Sequence, residues 1–339
     1  MQIVNWQETI DNSAKGIDRK AIKRGGVSDY IIRLLTKSSF RLGPLTEEVL
    51  EYVSSKVDYC VRNSLPIRFL PTTGSYKNIY APSAPHSDWA EVFQLEFLLN
   101  NLLSIAAFYE PGIVVEYSGD TYTLCFIDNL KDEWIQIYNE EFDKILERVG
   151  SVVPRNCKLI LNNAENFYDM KELESKVAKL VAQANLDDPE IVKLIDKSKD
   201  HAINNICWDG REDWSRLSDE ERDVKLKRSV LMHKYWLELD FKERKDYLLA
   251  DDTITVVHRT DVPDSLPVYS AKGCDVQYWE GVGVIKESSS CERHKWVVSP
   301  KQLEGLHVVE ELDVDDFAAI SPELESIKVV KQTNKTSNR

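Results

Sequence analysis

Hydrophobic positions along this chain follow two periods, and proline, glycine and acidic residues mark the changes between them. Residues 1–27 are polar, weakly patterned and close on Lys-Arg-Gly-Gly, which predicts a loosely attached arm. From Asp29 onward, spacings of three and four take over, and Leu45, Val49, Leu50, Val53, Val57 and Cys60 share one face of a predicted helix. Ile67 to Leu70 reads as a short buried strand that Pro71 stops, followed by a loop with Gly74, Pro82 and Pro85. Ser87 is the expected N-cap of the next helix, with Asp88 in its first turn, where the helix dipole favours negative charge. Leu95, Leu98, Leu99, Leu102, Leu103 and Ala106 mark its apolar face, and Pro111-Gly112 lies beyond its end.

Two β-rich runs, Ile113 to Tyr117 and Thr121 to Ile127, flank Ser118-Gly119-Asp120, which predicts a hairpin turn because Gly and Asp accept unusual dihedrals. A helix is expected over 133–150, a strand over 157–163 and a helix over 170–184. The chain is then charged and helical to Leu249, before TITVVHRT, VQYWEGVGVI and KWVVSP restore strand character. The alternation predicts an α/β fold: a single large domain with a mixed Rossmann-like sheet flanked by helices, plus a helical segment before the C-terminal strands. The expected boundaries are an arm over 1–27, a main domain over 28–321 containing the helical segment 186–249, and a frayed tail over 322–339.

Length and composition narrow the functions this pattern can serve. The 339 residues suffice for a well-buried core, and 42% hydrophobic with 29% charged residues is the balance of an ordinary globular protein. A net charge of −14 argues against a broad nucleic-acid surface, so an anionic ligand has to find a local basic pocket. The six cysteines are far apart, with no Cys-x-x-Cys pair and no zinc-like cluster, which points to a reduced cytoplasmic setting and no bound metal. No apolar stretch is long enough to cross a bilayer, and the first twenty residues do not read as a signal peptide, so no membrane partner is expected.

Familiar catalytic signatures are missing. No Gly-x-Gly-x-x-Gly follows a strand, no lysine follows a glycine-rich phosphate loop, and no Gly-x-Ser-x-Gly elbow occurs. What remains are polar residues at strand ends, where crevices form in α/β sheets. There the order of elements becomes informative: a strand ending in Leu-Pro, a loop bearing Lys77, an acidic residue opening a Leu-rich helix, a Tyr-x-Pro-Gly exit and the Ser-Gly-Asp turn. Together they resemble the isocyanide (isonitrile) synthase family over about residues 30–300, and the stretches ITVVHRT, SAKGCDV and YWEGVGVI resemble its downstream motifs. Three positions depart from the family pattern. The loop keeps Lys77 and Asn78 without a proline between them, the acid of the turn moves by one position to Asp120, and Glu280 stands where the family has a histidine.

The resemblance implies a catalytic domain that condenses the α-amine of an amino acid with the ketone of ribulose 5-phosphate and rearranges the adduct so that one sugar carbon becomes the isocyanide. It implies small-molecule substrates and no cofactor beyond that co-substrate. Such chemistry needs a cation for phosphate, proton carriers for the imine, and a side-chain pocket. Lys77, Asn78, Arg259 and Lys272 are the candidates for phosphate and carboxylate, His258, Glu91 and Asp120 for proton transfer, and Tyr76, Tyr278, Trp279 and Glu280 for the pocket. Blander readings stand beside these: a solvated lysine, a carboxylate that only complements a helix dipole, a turn-forming aspartate and a core histidine. A relative forming another amine adduct, such as an N-formyl amino acid, and a binding protein on the same fold are the alternatives.

Overall fold

The structure, a computed structural model, describes residues 3–74, 76–120, 132–163, 166–207, 212–271, 274, 276–315 and 317–332. The chain divides into two compact units, Met1–Ser118 with Ile135–Leu161 and Ala250–Arg339, and Gly119–Trp134 with Asn162–Leu249.

The larger unit opens with α1 (Trp6–Lys15), α2 (Arg19–Leu35) and α3 (Glu47–Asn63), capped by the side chains of Asn5, Asp18 and Thr46. Then come β1 (Ile67–Gly74), α4 (Trp89–Ala106), β2 (Ile113–Asp120), α5 (Asp132–Gly150) and β3 (Cys157–Asn162), and after the second unit β4 (Thr253–Val257) and β5 (Leu266–Pro267). These five strands form one sheet in the order β3-β2-β1-β4-β5. β4 runs parallel to both β1 and β5, with Leu70 opposite Thr255 and Val257 opposite Pro267. A parallel pairing of strands far apart in sequence needs long connections, which explains how residues near 70 and near 258 reach the same end of the sheet. Helix α4 is buried nearly all round, as a helix that is apolar on every side must be.

A second sheet is built from β6 (Val282–Glu287), β7 (Arg293–Val298), β8 (Leu306–Asp313) and β9 (Ser326–Gln332) in the order β7-β6-β9-β8. Its β6 strand presses on the start of α4 at Gly283. A Cβ there would lie 2.3 Å from the Trp89 carbonyl carbon, so only glycine fits. The smaller unit contains α6 (Met170–Gln183), α7 (Pro189–Ile206) and α8 (Asp219–Leu248), packed through Leu173, Val177, Ile191, Ile195, Val230 and Trp236. Among the described residues, no helix is long and apolar enough to cross a membrane.

The α/β sheet with flanking helices is the expected one, and three local expectations change. Residues 1–27 are not a loose arm, because Val4 is buried and Ile3, Trp6, Ile10 and Ile17 lie against the core. Much of the expected tail is strand β9, the partner of both β6 and β8, with Ile327, Val329 and Val330 buried. The helical segment lies in the smaller compact unit, which also takes in α6. Finally, β1 continues past Pro71 to Gly74, and β2 continues through Ser118–Asp120 where a turn was expected. The second hairpin strand, Thr121 to Ile127, lies outside the described residues.

Candidate active site

The site begins with the cap of α4. Asp88, rather than Ser87, is the N-cap: its Oδ1 accepts the Ala90 N–H at 2.6 Å, and Glu91 Oε2 accepts the Asp88 N–H at 2.8 Å, closing a capping box. Gly283 N–H also donates to Asp88 Oδ1, at 3.2 Å, and Ser83 Oγ donates to Oδ2 at 2.6 Å. Glu91 therefore does serve the helix start, but the same carboxylate has a second partner.

Lys77, in the loop after β1, is fully buried with its Nζ 3.0 Å from both Glu91 oxygens and 3.1 Å from Asp88 Oδ2. It also donates to the Tyr278 carbonyl at 3.1 Å. An ammonium has three hydrogens, and Glu91, Asp88 and Tyr278 account for all of them. Tyr138, on α5, donates its hydroxyl to Glu91 Oε1 at 3.2 Å. Burial raises the Glu91 carboxyl to about 7. Lys77 opposes that shift and the charge of Asp88 adds to it. Burial alone would lower the Lys77 ammonium, but Asp88 and Glu91 together outweigh it and hold Lys77 above its ordinary value.

Two loops some two hundred residues apart are stitched together here. Lys77 binds the Tyr278 carbonyl, and the Asn78 N–H donates to the Trp279 carbonyl at 2.7 Å. On the other side of Tyr278 lies His258, one residue beyond β4, fully buried, with its ring edge-on to Tyr278 at 5.6 Å and 6.1 Å from Trp279. Its Nδ1 lies 3.2 Å from the Val268 carbonyl. A carbonyl only accepts, so Nδ1 carries the proton, and burial pushes the imidazole's conjugate acid down to about 4. His258 is thus neutral at physiological pH. Lys77 and His258 touch the same residue.

The fold has a solved counterpart. The crystal structure of the PvcA protein from Pseudomonas aeruginosa is similar to this chain with a TM-score of 0.59 and 15% sequence identity, covering 89% of this chain and 99% of that one. No protein-family model matches the sequence, nor does any curated protein. The likeness to PvcA is one of fold.

The other expected site residues divide into three groups. Tyr278, Trp279 and Asn78 belong to the stitched loops, with Tyr76 half-buried beside Lys77 in sequence and Glu280 half-buried in the turn after Trp279. Burial raises the Glu280 carboxyl, an effect that its bond to Gln277 and the charge of Arg259 oppose. Arg259 is exposed and makes two bonds to Asp261, at 2.6 and 2.5 Å. Lys272 and the side chain of Asp120 lie outside the described residues. The segment Thr260 to Ser265, which includes Asp261, lines a cleft of about 410 Å³ together with Thr46 and Tyr52 at the start of α3.

Several residues of the cluster were not anticipated as site residues. Asp88 and Gln94 stand three residues either side of Glu91, a helical spacing that puts them on its face, and Gln94 Oε1 accepts the Tyr117 hydroxyl at 2.5 Å. Tyr117 and Phe142 pack against Tyr278, with ring centroids 6.3 Å and 6.2 Å from it, and Tyr138 stacks on Phe142 at 6.0 Å. No local pattern announces Tyr138, whose place depends on contacts distant in sequence.

Proposed function

We propose that this chain is an isocyanide-synthase-like enzyme that joins the amine of an amino acid, or a related amine, to ribulose 5-phosphate and leaves one sugar carbon on nitrogen as the isocyanide. The observation that carries this reading is the buried cluster at the strand ends, where burial, with the charge of Asp88 and against that of Lys77, raises the Glu91 carboxyl to about 7. An acid that is half protonated near pH 7 can release a proton to a departing oxygen and recover one from nitrogen, which is what forming and shifting an imine requires. The order of motifs along the chain supports the family, and the fold shared with PvcA supports the architecture.

In this reading Lys77 organises the carboxylates, since a phosphate could reach its ammonium only by displacing one of them. The proposed phosphate cations are then Arg259 and Lys272. No cofactor takes part, and the aromatic shell of Tyr278 and Trp279 borders the amine.

Incubation of the purified protein with a panel of amino acids and ribulose 5-phosphate, followed by mass spectrometry, tests the proposal. The expected product carries one sugar carbon and no added oxygen, and Glu91→Gln should slow its formation by a factor on the order of 100 or more. A product with one carbon and one oxygen would indicate formylation instead. If no pair gives a product and neither substrate class raises the melting temperature, the enzymatic reading falls and a binding protein on this fold remains.

A further inference from the structure

The cluster around Lys77 is saturated with hydrogen bonds, but the shell on the far side of Tyr278 is not. Among the described residues of the larger unit, four buried side-chain polar atoms have no partner: Trp6 Nε1, Gln94 Nε2, His258 Nε2 and Ser270 Oγ. Two of the four, on Gln94 and His258, belong to the shell of Tyr278. Gln94 is bound to the Tyr117 hydroxyl, and the Tyr117 ring packs edge-on against Tyr278. His258 meets Tyr278 from another side, and Ser270 lies two residues past Val268, whose carbonyl fixes the His258 ring. Gln94, His258 and Ser270 are each essentially without exposure to solvent.

An unpaired polar atom in a protein interior costs stability, so proteins rarely keep several together without a use. We infer that His258 Nε2 and Gln94 Nε2 form a polar subsite beside Tyr278 in which His258 Nε2 accepts a hydrogen bond from the substrate, rather than carrying the proton of the reaction. This rests on the proposed reading of the site and assigns His258 a role different from the one its position in the sequence suggests. The chemistry follows from the inventory. With Nδ1–H committed to Val268, Nε2 offers only a lone pair and Gln94 Nε2 offers only N–H. Neither is charged. The match is therefore a neutral donor-bearing group, either a hydroxyl of the sugar or an N–H of the amine.

The two sources are separated by nitrogen-15 spectra of the full chain with labelled histidine, His258 being assigned by comparison with His258→Gln. In the free protein near pH 7, Nδ1 should appear protonated and Nε2 unprotonated and without a hydrogen bond. Saturating ribulose 5-phosphate alone, or an amino acid alone, should shift the Nε2 resonance upfield as it accepts a hydrogen bond, and the ligand that does so identifies the group. A resonance unmoved with both present overturns the inference, as does finding the proton on Nε2 in the free protein. A shift without any product retains the subsite and contradicts the proposed reaction, and product without a shift does the reverse. In turnover, His258→Phe should raise KM about tenfold or more with kcat within about threefold of wild type, while His258→Gln, which keeps an acceptor, recovers most of that loss. A fall in kcat in both variants with KM unchanged would mark a proton carrier and sink the inference.

Discussion

Lys77→Met should destabilise the larger unit by about 3–5 kcal/mol, the range found when one partner of a buried ion pair is removed. The reason is local: the substitution leaves Asp88 and Glu91, both buried, without their common cation and withdraws the donor from the Tyr278 carbonyl. In a thermal scan the midpoint should fall on the order of 10 °C. Adding Glu91→Gln to Lys77→Met removes one orphaned charge and should restore part of the loss, since Asp88 keeps Ser83, Ala90 and Gly283 as donors. If Lys77→Met melts within about 1 kcal/mol of wild type, the ion cluster does not hold the two loops together.

The second large effect is hidden in the wild-type protein and appears only on substitution. Glu91 has a folded value of about 7 against an ordinary 4.5, so the native state holds a proton that the unfolded chain has released between those values. Its contribution is complete below about pH 4.5 and is lost as pH rises through 7. His258 has the opposite sign. Its folded value of about 4 lies below the ordinary 6.5, so its contribution is complete above 6.5 and is lost as pH falls through 4. Each is on the order of 3 kcal/mol over its window, and between about pH 4.5 and 6.5 the two slopes offset each other. Glu91→Gln should therefore steepen the loss of stability on acidification, and His258→Phe should make stability fall as pH rises toward 7. His233, pushed down to about 4 by burial and by His201, adds acid sensitivity to the helical unit in every variant. The informative quantity is thus the difference in slope between variants, measured by denaturant unfolding across that range. Equal slopes in all three proteins would contradict the assigned values.

Local pattern carried much of this architecture. The leucines of α4, the β-branched run of β4 and the acidic opening of the α4 helix all read directly, because helix period, strand composition and N-cap chemistry are short-range properties. Lys77, Glu91 and His258 were legible as candidates for the same reason, each standing at an element boundary. Their meeting was not, because the parallel β1–β4 pairing that brings them together spans nearly two hundred residues and leaves no trace in local spacing. The errors at the two ends share a cause: the apolar residues of 3–17 and β9 become core only through partners elsewhere, α4 for the first and β6 with β8 for the second. The role of Lys77 shifted likewise, because nothing in a polar loop sequence reveals that two carboxylates enclose its ammonium.

Glu91 itself is the most direct test. Carbon-13 spectra of the side-chain carboxyl, assigned with Glu91→Gln and followed through a pH titration of the unliganded protein, should show half-protonation near pH 7. A carboxyl already fully ionised by pH 6 would mean that the buried cluster is an ordinary ion pair, with no acid available to the chemistry at neutral pH.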